Sequence, residues 1–214
     1  MNDDVFAVHK PKGPSSAAFL NELKKILGVK KIGHAGTLDP LASGILVIGI
    51  GKGTKRLAEI VNKDKEYVAT IKLGSESTTD DAEGKKRAGS VHHRPTRQEV
   101  QAALKKFIGI ILQIPPVMSA VKIGGERAYK LARQGRVVHL KPRAVKVYAI
   151  ELLDYSWPFV KLRLTTGPGV YVRAVARDLG RELGTLGYLA DLERTRVGEF
   201  TKERALHFVP KRRA

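Results

Sequence analysis

The spacing of apolar residues changes period several times along this chain without settling into a regular strand-helix-strand rhythm, and that constrains its fold more than any other feature. Phe19, Leu20, Leu23, Ile26 and Leu27 recur at three and four residues behind Ser15 or Ser16 and before Gly28, which predicts a capped, core-facing helix. The apolar run at residues 44–48 predicts a buried strand, and residues 67–73 alternate as a strand with one apolar face, ended by Gly74. A short helix is expected near Thr54. Thr96-Arg97-Gln98-Glu99 is a capping box, with Val100, Leu104 and Phe107 at helical spacing behind it. Residues 76–94 read as a polar surface loop, residues 145–153 and 160–164 as strands, and residues 172–183 as a helix, the last strong element. Such interspersion predicts an α+β fold with a mixed sheet.

The 214 residues suffice for one compact domain with a substantial core, and they include no cysteine. Disulfides, thiolate metal sites and a cysteine nucleophile are therefore excluded, and a reducing cytoplasm is the expected compartment. The start, Met1-Asn2-Asp3-Asp4, carries acid where a secretory signal carries base. The longest apolar stretches, at residues 45–50 and 107–114, fall far short of the roughly 20 residues of a membrane helix. Lysine and arginine total 39 against 21 acidic residues, a formal charge of +18 that predicts a polyanionic partner. A membrane surface would need an amphipathic helix or a polybasic tail beside a lipid anchor, and only Lys211-Arg212-Arg213 resembles one. Nucleic acid is the expected partner.

Two apparent motifs fail on chemistry. The glycine-rich segment Gly49-Ile50-Gly51-Lys52-Gly53-Thr54-Lys55 has Gly53 after Lys52, where a phosphate-binding loop requires Ser or Thr, so it reads as a strand-to-helix turn. His92-His93 cannot share one helix face and has no third ligand at suggestive spacing, so no metal is expected.

The specific signal is Gly33-His34-Ala35-Gly36-Thr37-Leu38-Asp39-Pro40-Leu41-Ala42-Ser43-Gly44. With it, in order, stand Lys10-Pro11-Lys12-Gly13, Lys65-Glu66-Tyr67, residues 113–122 from Gln113 to Lys122, Gly169-Val170-Tyr171-Val172-Arg173 and Gly198-Glu199-Phe200. Together these resemble the TruB-type tRNA pseudouridine synthases over essentially the whole chain. The resemblance implies the pseudouridine synthase fold and conversion of uridine to pseudouridine in the T loop of tRNA, at Ψ55. That reaction breaks the N-glycosidic bond, turns the base and rejoins it through carbon, which requires a nucleophile or cation stabiliser but no redox or metal cofactor. Taken alone, Asp39-Pro40 reads as an ordinary turn. The resemblance makes Asp39 the nucleophile, with flanking glycines that let backbone approach a nucleotide.

By the same resemblance, Arg173 is the active-site arginine and supplies opposite charge and hydrogen bonds to the carboxylate. Tyr67, the third catalytic residue, stacks on the target base and relays a proton, and His34 lies near the flipped nucleotide, whose extrusion costs a few kcal/mol. Leu192 supplies an apolar wall, Lys10 binds substrate, and Tyr171 either packs near the site or bonds the substrate. Arg177 and Arg181 follow Arg173 at four-residue spacing and suit a solvated face as well as RNA. Residues 115–147 carry Lys122, Arg127, Lys130, Arg133, Arg136, Lys141, Arg143 and Lys146 against the single acid Glu126, and resemble the family's RNA-gripping thumb. Met118 stands where the family usually has an aromatic residue, and His9 where an acid or amide is common. Family members commonly continue into a small C-terminal RNA-binding domain. Residues 1–214 are expected to form one catalytic domain without that PUA-like addition, a monomer needing no protein partner. A guide-RNA-dependent, dyskerin-like synthase and a non-catalytic tRNA chaperone are the alternatives.

Overall fold

Ser15 starts the first helix by accepting a hydrogen bond from the Ala18 N–H at 3.2 Å, and Gly28 ends it in the left-handed conformation at φ 63°. Its inward face buries Phe19 and Leu23, each contributing about 1.5–3 kcal/mol. The computed structural model describes residues 4–208. The start Met1-Asn2-Asp3 and the basic tail Lys211-Arg212-Arg213 lie outside the described residues. In chain order the elements are β1 (Val5–Lys10), α1 (Ser16–Leu27), β2 (Ile32–Ala35), β3 (Ser43–Ile50), α2 (Leu57–Val61), β4 (Lys65–Leu73), β5 (Ser75–Ser77), β6 (Lys86–Ala88), α3 (Arg97–Lys105) and β7 (Gly109–Gln113). They continue as β8 (Lys122–Ile123), β9 (Glu126–Arg127), α4 (Ala128–Arg133), β10 (Arg143–Ser156), β11 (Phe159–Thr166), α5 (Val172–Glu182), β12 (Gly187–Val197), β13 (Phe200–Thr201) and β14 (Leu206–His207).

The chain divides into two compact units, one holding the residues up to Val68 and from Leu192 onward, the other Ala69–Asp191. In the first unit the strand order is β14-β1-β3-β12-β4, with β2 also on β3 and β13 on β12. Pairing is antiparallel between β1 and β3, β2 and β3, and β12 and β13, and parallel between β3 and β12 and between β1 and β14, so the sheet is mixed and mainly antiparallel. Its core joins Ala7, Ala35, Ile45, Val47, Leu57, Ile60 and Val197. In the second unit the order is β12-β4-β11-β10-β7, and the β7, β10 and β11 pairings are antiparallel. The clean alternation of β11 buries Val160, Leu162 and Leu164, and α3, which starts at the expected Thr96–Glu99 capping box, packs on α5 and β10.

Three elements depart from the sequence reading. The glycine-rich start of the Gly33–Gly44 segment carries no strand alternation, yet residues 32–35 form β2, because Gly33 and His34 complete main-chain pairs with Gly49 and Ile48. Residues 76–94 are not all surface loop: β5 and β6 form a hairpin, and Asp81 between them is buried. The eleven-residue β12 follows the helix expected to be last. Asp191, Glu193, Arg194 and Arg196 hide this strand from any alternation rule.

Candidate active site

Asp39 sits in the loop between β2 and β3, and the neighbouring chain fixes that loop through its main chain. Gly13 donates to the Pro40 carbonyl at 2.8 Å, and Ala42 donates to the Asp39 carbonyl at 3.0 Å. Where the loop enters β3, Gly44 has φ 106°, and a Cβ there would lie 2.2 Å from the carbonyl oxygen of Arg194. Only glycine permits that approach of β3 to β12.

Strand register collects further residues of the first unit on one face. Thr195 of β12 donates to Glu66 of β4 at 2.7 Å, which places those two side chains together. Because side chains alternate along a strand, Leu192 and Arg194 share the opposite, buried face with Lys65 and Tyr67. Arg194 carries no local sequence pattern that marks it as part of this site. It is 2 % exposed, and its Nε donates to the Ile45 carbonyl at 2.7 Å and its Nη2 to the Gly36 carbonyl at 3.1 Å. Burial and then the Arg194 charge bring the Lys65 ammonium down to about 8. The same two causes, in the same order, hold the His34 imidazole below its ordinary value of 6.5, against a smaller pull from its hydrogen bond at Gly36. The buried Nδ1 of His34 makes no hydrogen bond. Lys10, expected to bind substrate, is fully buried, and its ammonium donates to the carbonyls of Pro11 and Pro14, both at 2.8 Å.

Arg173 and Tyr171 belong to the second unit, at the start of α5. The side-chain amide of Gln113 grips the main chain of Tyr171 at two points, accepting from its N–H at 2.8 Å and donating to its carbonyl at 3.2 Å. Two residues on, the Arg173 guanidinium lies 3.4 Å from the Asp81 carboxylate, with side chains 6 % and 3 % exposed. It also donates to the carbonyls of Thr79 at 3.2 Å and Met118 at 3.0 Å. The unusual side chain at Met118 therefore leaves this contact intact, since the carbonyl makes it. Asp81 in turn accepts from the Thr79 hydroxyl at 2.5 Å and the Glu83 N–H at 3.0 Å.

Arg177 is a correction to the sequence reading. It is not on a solvated face: it pairs with Asp80 at 2.9 Å and Asp178 at 2.8 Å and donates to the Ile114 carbonyl. Arg181 stays largely exposed, 3.6 Å from Asp178. Asp80 adopts φ 60°, a left-handed conformation that aspartate tolerates better than most residues. A polar segment of Ser, Thr, Asp and Gly carries no local sign that two of its carboxylates, Asp80 and Asp81, turn inward.

In the segment likened to a thumb, β8 and β9 form a hairpin that leads into α4. Lys122, Arg127, Lys130, Arg133 and Arg136 are all exposed, and Arg136 lies 4.0 Å from Glu126. His93 contacts Glu99, and among the described residues no group of three or more His, Asp or Glu side chains is placed to hold a metal ion.

The model of the TruB family pseudouridylate synthase (N terminal domain) matches residues 24–172. A protein named tRNA pseudouridine synthase B from Ehrlichia chaffeensis is 49% identical over 199 residues, covering 92% of this chain and 67% of that protein. Its namesake from Anaplasma phagocytophilum is 49% identical over 197 residues, covering 91% and 65%. A chain in the crystal structure of a Cbf5-Nop10-Gar1 complex superposes with a TM-score of 0.75 at 31% identity, over 95% of this chain and 52% of that one. The chain thus spans about two thirds of the length of these curated relatives and about half that of the solved chain.

Proposed function

The chain belongs to the TruB family of pseudouridylate synthases, and on that premise we propose that it isomerises uridine to pseudouridine in the T loop of tRNA (Ψ55), in the cytoplasm, as a monomer without a guide RNA. The observation that carries this reading is Asp39, on a loop whose main chain is fixed at Leu38, Asp39 and Pro40 and which lies within the family match. A carboxylate held in this way can act as nucleophile without first paying to order its own backbone. The uridine is flipped out of the T loop at a cost of a few kcal/mol, offset by stacking on Tyr67 and by contacts from His34 and Leu192. Arg173 acts as the active-site arginine, oriented by Asp81 and by the Gln113 grip on Tyr171. Tyr171 acts through its main chain, and Lys10 acts on substrate by shaping the turn at residues 11–14.

Residues 115–147 are the RNA grip. Reversing Lys130, Arg133 and Arg136 to glutamate is expected to weaken tRNA binding and to flatten its salt dependence, because each phosphate contact contributes a slope of roughly −0.7 to −0.9. Tyr67→Ala should instead slow the reaction at saturating enzyme, with stacking worth about 1–3 kcal/mol per base. Binding and single-turnover rates across a salt series separate the two. A triple variant that binds as tightly as the parent with an unchanged slope would remove the thumb from this account. No helix among the described residues is long and apolar enough to cross a membrane.

A further inference from the structure

Two buried side chains from outside the Asp39 loop hold its main chain immediately before Asp39, at its start, and in the strand that follows it. Ser16, at the first position of α1 and 1 % exposed, donates its hydroxyl to the Leu38 carbonyl at 2.7 Å and accepts from the Leu38 N–H at 2.8 Å. One oxygen thereby fixes both polar groups of the residue that precedes Asp39. Arg194 reaches the other way, to the carbonyls of Gly36 before Asp39 and Ile45 after it, with the Thr37 carbonyl 3.5 Å from Nη1. Its guanidinium meets main-chain carbonyls where a buried arginine ordinarily meets a carboxylate, an expensive arrangement for a residue with only a packing role.

We propose that Ser16 and Arg194 are positioning residues for the reaction, which together set the main chain on either side of Asp39 and so aim its carboxylate. The proposal rests on the reading of Asp39 as nucleophile. Neither side chain needs to touch RNA: a reactive atom misplaced by about 1 Å costs on the order of 100-fold in rate, and two lost anchors suffice for that. The α1 helix acquires a second task here. Its N-terminal residue joins the core-facing helix to a loop 22 residues away in sequence.

The test uses Ser16→Ala and Arg194→Lys. Lysine keeps the charge but cannot span carbonyls on two sides of the loop. Single-turnover rate at saturating enzyme, tRNA affinity, melting temperature and amide exchange at Leu38 are measured for each variant. Both should lower the rate roughly 100-fold while tRNA affinity stays within about twofold, and Ser16→Ala should speed exchange of the Leu38 amide. Folded variants that react within about threefold of the parent, or that lose only affinity, overturn the proposal. If Arg194→Lys does not fold, Ser16→Ala decides alone. If the parent chain forms no pseudouridine, the functional reading fails, and the Leu38 amide still reports on the anchor: exchange unchanged in Ser16→Ala would show that Ser16 does not hold the loop.

Discussion

Asp39→Asn is expected to reduce pseudouridine formation by about 10⁴-fold or more, equivalent to about 5 kcal/mol of barrier, while tRNA binding stays close to that of the parent. The amide is nearly isosteric, and the main-chain hydrogen bonds at Leu38, Asp39 and Pro40 do not run through the carboxylate, so the backbone should persist. What disappears is the charge and nucleophilicity of one carboxylate. The check is a single-turnover assay on unmodified tRNA beside a binding titration. Appreciable turnover by the Asn variant would assign the chemistry elsewhere.

Arg173→Lys is expected to cost at least about 100-fold in rate although the charge is retained. The guanidinium meets the Asp81 carboxylate and the carbonyls of Thr79 and Met118 from a nearly fully buried position. An ammonium cannot match that planar fork, and a buried hydrogen bond to a charged group is worth about 1.5–3 kcal/mol. Asp81 would be left poorly paired, so a lower melting temperature should accompany the loss of rate. Single-turnover rates measured well below the melting temperature isolate the catalytic effect. Near-parent activity would show that the fork geometry at Arg173 is dispensable.

How far the sequence could be read depended on whether a residue's partner was local. The α1 caps at Ser15 and Gly28 and the Thr96–Glu99 box announce themselves within three or four residues, and the structure shows them where expected. The alternation of β11 was equally legible. The strand β12 was not, because its central Arg194 is satisfied by carbonyls about 150 residues away along the chain. The same holds for Asp80 and Asp81, whose arginine partners lie more than ninety residues further on. The Gly33–Gly44 segment identified the family, and within it Asp39 stood out. The side chains that hold its loop, Ser16 and Arg194, lie in two other segments and became visible only through their hydrogen bonds.

The most direct measurement is to incubate the purified chain with unmodified tRNA, without guide RNA or added protein, and to map pseudouridine nucleotide by nucleotide. The account predicts modification of the single T-loop uridine at position 55, present with the parent chain and absent with Asp39→Asn. Tight tRNA binding without pseudouridine, or pseudouridine formed equally by both proteins, would contradict it.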